Sequence, residues 1–133
     1  MEVLNTFFLS VNAYEDWALL FLRLVIAVIF AAHAVPKLKQ PRKIAQMMGG
    51  PAAMPVGLGT VEMVAALALV LGIAVPLAAL VLGIVMLGAI YFKMVKWHIP
   101  FAAMDKSGWE FDLILFAGNV VLLATGGGNF TLL

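Results

Sequence analysis

Four stretches of this chain, Trp17 to Val35, Val56 to Val75, Pro76 to Met94 and Glu110 to Thr125, are apolar and nearly free of charge. At about 1.5 Å per helical residue, a run of that length covers most of a hydrocarbon core roughly 30 Å thick. The residues are 65% hydrophobic and 11% charged, with a mean hydropathy of +1.10. A water-soluble domain of 133 residues could not hide so much apolar surface and would expose large patches. The sequence therefore predicts an all-α integral membrane four-helix bundle, with residues 1–133 forming one domain and the lipid bilayer as part of its solvent.

The connectors carry the expected punctuation. Tyr14 and Trp17 stand where amphipathic rings favour the headgroup layer, with Asn12 and Glu15 expected to cap the first span. Pro36, Lys37 and Lys39 mark its far end. From Gln40 to Gly50 the pattern predicts a short interfacial helix: Pro41 starts it, Ile44, Met47 and Met48 share a face, and Gly49 with Gly50 stops it. Only Gly72 and Pro76 separate the second and third spans, which predicts a tight hairpin. Ala68 with Gly72, and Ala79 with Gly83, have the spacing that lets backbones approach in lipid. Lys96 to Gly108 is a polar loop, Ser107 and Glu110 have capping-box spacing before the fourth span, and Gly126 to Gly128 ends that span.

The placement of charge matters more than its near-zero sum. Lys37, Lys39, Arg42, Lys43, Lys93, Lys96 and Lys106 all follow the first or third span, and Glu2, Glu15 and Asp16 lie on the other side. The positive-inside rule then puts both polar loops in the cytoplasm and both termini outside the inner membrane. No basic stretch with interleaved aromatics suggests a nucleic-acid groove. The N-terminus lacks the features of a cleavable signal, so the first apolar stretch is expected to remain as a span. The absence of cysteine excludes a thiol relay, a disulfide and thiolate-bound metal or iron–sulfur centres within this chain.

An ionisable side chain in a lipid-spanning segment costs at least a few kcal/mol, about 2.5–3.5 at a helix centre, and so merits a functional hypothesis. Arg23, His33, Glu62, Glu110, Asp112 and Asn119 are the candidates for ligand binding or proton handling. Arg23 can either snorkel outward or turn its donors into the bundle. Glu62, deep in the second span, has to be paired or remain protonated, which suits a proton carrier, an interhelical hydrogen bond or a structural ion pair. His33 ends the first span on the side from which the second enters, so His33 and Glu62 are expected to meet. Glu110 and Asp112 are also explained by the dipole at a helix start. Asp112 and Asn119 give the fourth helix a polar face directed into the bundle. Haem ligation by His33 and His98 has only one histidine per helix end in its favour; haem is not expected, and no metal site is read.

Leu22-Arg23-Leu24, the run from Phe30 to Leu38 with His33 before Lys37, Gly49-Gly50-Pro51 ahead of Glu62, and Gly108-Trp109-Glu110-Phe111 follow one another in the order and spacing of a known family. In these respects the chain resembles the DoxX family of small four-helix membrane proteins. The resemblance implies a membrane component associated with redox systems, with relatives regarded as subunits of thiosulfate and quinone oxidoreductases, and so a partner-dependent redox or quinone function. The leading expectation is a lipid-soluble ligand bound between the helices, with Arg23 and His33 as donors and Glu62 and Glu110 handling protons. A noncatalytic anchor or assembly subunit for a soluble redox partner is the alternative. A small proton-coupled transporter is disfavoured because the chain has no evident internal repeat. Whether the chain catalyses a reaction, and whether it forms a homo-oligomer, stay open.

Overall fold

A computed structural model describes all 133 residues, and every regular element in it is helical. The helices are α1 (Glu2–Asn12), α2 (Glu15–Lys39), α3 (Pro41–Met48), α4 (Ala53–Leu71), α5 (Val75–Tyr91) and α6 (Trp109–Thr125), with a π-helical turn at Phe92–Lys96 continuing α5. By length and composition α2, α4 and α5 with its π turn can each cross a membrane. α6 packs along α5, and its 17 residues reach about 25 Å, the short end of a spanning helix. The four long helices close a ring, α2 against α4, α4 against α5, α5 against α6 and α6 against α2. The all-α bundle read from the sequence is thus present, with the short helix α3 between its first and second members.

The side-chain distribution suits lipid outside. Large residues such as Val28, Val64, Leu77, Ile84 and Ile114 are more than half exposed. The buried face of α5 is instead rich in small residues, Ala78, Ala79 and Gly83. Hydrocarbon offers no drive to hide leucine, so small residues face neighbouring helices, where they allow close packing. At Gly83 the α6 side chains Phe116 and Asn119 come into ordinary contact. Phe30, Leu69, Leu82 and Leu122, one from each long helix, fill the centre.

Several local expectations need correction. Asn12 does not cap the first span: it is the last residue of α1, a helix not foreseen, while Glu15 is the first residue of α2 and no side chain caps that start. α2 runs through Pro36 to Lys39, because a proline in the last turn removes one N–H without stopping the chain. The hairpin turns earlier than expected: α4 ends at Leu71, and Val75 already belongs to α5. Ser107 forms no capping box with Glu110. The N-cap is Gly108 without a side-chain bond, since the backbone N–H of Glu110 donates to the Phe101 carbonyl at 3.1 Å. The preceding loop folds over the helix start and takes the place of the cap.

The C-terminal residues form a strap across the α4–α5 hairpin. The N–H groups of Leu132 and Leu133 donate to the Gly72 carbonyl at 3.0 and 3.1 Å, and the Ala74 N–H donates to the Leu133 carbonyl at 3.1 Å. Gly72, at φ +70°, closes α4, and a Cβ there would lie 2.7 Å from Thr131 Cα. Gly72→Ala is therefore expected to lower stability by about 1–3 kcal/mol, through left-handed backbone strain and displacement of the strap. Gly57→Ala, whose methyl would meet nothing within 4 Å, should leave stability unchanged or raise it. Thermal unfolding of both variants in the same detergent checks this.

Candidate functional site

Most of the candidate residues gather where α2 and α5 end and α6 begins, the end of the bundle that carries the lysines. Glu62 is 1% exposed on α4. Lys37, in the last turn of α2, donates to both of its carboxylate oxygens, at 2.7 Å to Oε1 and 2.6 Å to Oε2. Gly59, one turn before Glu62, makes this reach possible. A Cβ on it would stand 3.0 Å from Lys37 Cβ and 3.2 Å from the Ala34 carbonyl, so a side chain there would push the two helices apart.

The expected meeting of His33 and Glu62 does not occur. Lys37, one turn beyond His33, takes the carboxylate, and His33 is exposed. The His33 Nδ1 lies 2.8 Å from the carbonyl of Ile29 on its own helix. Its ring tilts 32° against that of Phe111 on α6, with centroids 5.7 Å apart.

A second lysine–carboxylate pair joins the other two helices. Lys93, in the π turn, places Nζ 2.7 Å from Asp112 Oδ2 and donates to the Gly108 carbonyl at 3.4 Å. The ammonium stands off the line a hydrogen bond to Oδ2 would need, leaving that buried oxygen without a directed donor, so attraction between charges holds the pair. The same ammonium is 5.9 Å from the Phe111 ring centre. The two lysines occupy last turns and Asp112 a first turn, each where the helix dipole favours its sign. His33 and Phe111 thus form a bridge between one pair on α2 and α4 and another on α5 and α6. Glu110 lies beside this region but is exposed and takes part in neither pair.

Arg23 is elsewhere. It does not snorkel into solvent: 1% exposed, it donates from Nε to the Leu69 carbonyl at 2.8 Å and from Nη1 to the Gly127 carbonyl at 3.2 Å. Two helical turns of α4, about 10 Å, separate Leu69 from Glu62. Arg23 therefore ties α2, α4 and the C-terminal strap together at the opposite end, and no carboxylate pairs with it. Asn119 lies between the two ends, fully buried on the Asp112–Leu115–Leu122 stripe of α6. Its Nδ2 donates to the Leu115 carbonyl at 2.9 Å, while its Oδ1 has no partner. One site holding all six candidates is thus not formed.

A family model for DoxX matches residues 18–95, more than half of the chain. The chain belongs to the DoxX family. The DoxX match takes in most of α2, all of α3, α4 and α5 and most of the π turn, and with them Arg23, His33, Lys37, Gly59, Glu62 and Lys93. Asp112, Asn119 and the Gly108-Trp109-Glu110-Phe111 entry of α6 lie beyond it. No curated protein and no solved structure matches the chain.

Sequence reasoning passed over Lys37, Lys93 and Phe111. The lysines served there to orient the chain and, for Lys37, to mark a helix end and a family motif, although Lys37 stands one turn from His33 on the same helix. Removing one partner of a buried pair strands the other charge, so Lys37→Met in this DoxX protein should cost about 3–5 kcal/mol. The double variant Lys37→Met/Glu62→Leu should recover most of that loss. Unfolding by sodium dodecyl sulfate in mixed micelles measures both beside Glu62→Leu alone, and a loss in the double variant equal to the sum of the two single losses would mean that the pair carries no coupling.

Proposed function

We propose that this DoxX protein is a quinone-linked or redox-associated component of the cytoplasmic membrane that binds the polar head of a lipid-soluble ligand at the basic end of its bundle. One observation carries the reading: an exposed imidazole tilted against an aromatic ring, between two lysine–carboxylate pairs. A quinone, when bound, supplies a flat ring whose carbonyl oxygens take up protons on reduction. The site's residues fit such a head. Phe111 offers a ring for offset or edge contact, and His33 offers ring nitrogens that can donate and accept hydrogen bonds. With Nδ1 committed to the Ile29 carbonyl, the neutral imidazole carries its proton there and keeps Nε2 as the acceptor. His33 can then take a proton at Nε2 from the aqueous side and pass it to a ligand oxygen. Lys37 and Glu62, one turn away and already hydrogen-bonded, hold a fixed charge pair beside it. Arg23, tied to backbone carbonyls at the far end, has a structural role in this proposal.

The basic end faces the cytoplasm in this reading, with both termini outside, because seven of the eight basic residues lie there. The anchor alternative draws support from the same end, where Phe101 and Met104 are exposed in the loop that also carries Lys106. A soluble redox subunit could dock on that mixed apolar and basic surface.

Titration of the purified protein with a short-tailed ubiquinone tests the ligand site. His33→Leu and Phe111→Leu should each weaken binding at least about tenfold, roughly 1.4 kcal/mol, whereas Asn129→Ala at the other end should not change it. Equal affinity in all of these proteins would remove the site, and no binding by the isolated wild-type chain would favour the anchor. The orientation has its own test: Lys43→Cys and Lys106→Cys should both resist an impermeant maleimide in intact cells and both react in inverted vesicles. Opposite behaviour of the two positions would overturn it.

A further inference from the structure

α1 buries none of its residues against the bundle, yet Val3, Leu4, Phe7, Phe8 and Val11 are each about half exposed or more. At the helical advance of about 100° per residue these five share an arc of about 140°. Glu2, Asn5, Thr6, Ser10 and Asn12 occupy the opposite arc, where Leu9 is the one large apolar residue. The helix has 11 residues, about 16 Å, too short to cross a bilayer. Only Ala13 and Tyr14 separate it from α2, whose entry carries Tyr14 and Trp17, both more than half exposed. Such rings settle at the headgroup layer, and a two-residue link holds α1 at that same level.

We propose that α1 is an in-plane lipid-binding helix, lying in the bilayer interface at the Asp16 end of the bundle with its apolar arc in the acyl boundary. Its chemistry sets it apart from α3 at the other end. α1 itself carries no lysine or arginine, whereas α3 carries Arg42 and Lys43. Binding by α1 therefore comes from buried apolar area rather than from attraction to anionic headgroups. It recognises a lipid surface irrespective of headgroup charge.

The absence of cysteine makes a direct test available. Phe7→Cys, Val11→Cys, Asn5→Cys and Thr6→Cys, each labelled with an environment-sensitive fluorophore, are placed in phosphatidylcholine vesicles with and without phosphatidylglycerol. Positions 7 and 11 should be quenched by doxyl-labelled lipid and shielded from aqueous iodide, and positions 5 and 6 should show the reverse. Neither pattern should change with phosphatidylglycerol or with raised salt. Iodide quenching of all four positions alike would overturn the proposal by placing α1 in water. Shielding of positions 7 and 11 without lipid quenching would overturn it in favour of a second copy or a protein partner, and a requirement for phosphatidylglycerol would refute the chemistry assigned to the helix.

Discussion

A charge carried into hydrocarbon must find its partner on the protein, because the solvent there offers none. Glu62, Asp112 and Arg23 obey this in different ways. The two acids take lysines from neighbouring helices, while Arg23 takes two backbone carbonyls. These contacts determine which helices pair and at what height: Lys37 with Glu62 sets α2 against α4, and Lys93 with Asp112 sets α5 against α6. Arg23 adds the C-terminal strap to the first of these couples. The helix ring follows from where the few ionisable groups can be satisfied.

Close packing makes those contacts attainable. A lysine spans only a few ångströms beyond its helix, so Gly59 is as necessary to the Lys37–Glu62 pair as the charges themselves. Gly127 plays the matching part at the other end. At φ +80°, with room for a Cβ only 2.9 Å from Arg23 Cδ, it presents its carbonyl where a larger residue would displace the guanidinium. Glycine in this bundle thus does electrostatic work indirectly, by fixing how near a donor comes to its acceptor.

The long apolar runs, the interfacial helix between Pro41 and Met48, and the glycines that end α3, α4 and α6 could be recognised in the sequence because each depends on local periodicity or backbone freedom. The site was less legible. A lysine at the end of a span looks the same whether it reaches water or a buried acid on another helix, so Lys37 and Lys93 were recognised as topological signals and not as partners. The capping pattern at Ser107 and Glu110 failed because Phe101, distant in position from the helix start, already satisfies it. Arg23 offered no pairing signature at all, since one backbone carbonyl looks like any other. α1 was missed because its polar and apolar residues alternate over too short a stretch to register as a span.

The Arg23–Gly127 hydrogen bond joins residues 104 positions apart, which bears on how the protein is made. α2 leaves the ribosome and enters the bilayer long before its acceptor has been synthesised. Leu69, its other acceptor, is made within that interval, so Nε can tie α2 to α4 while Nη1 still waits for its partner. Completion of α6 then brings the peptide oxygen that Nη1 takes. The order of translation thus makes the Asp16 end of the bundle the last whose contacts can all be formed.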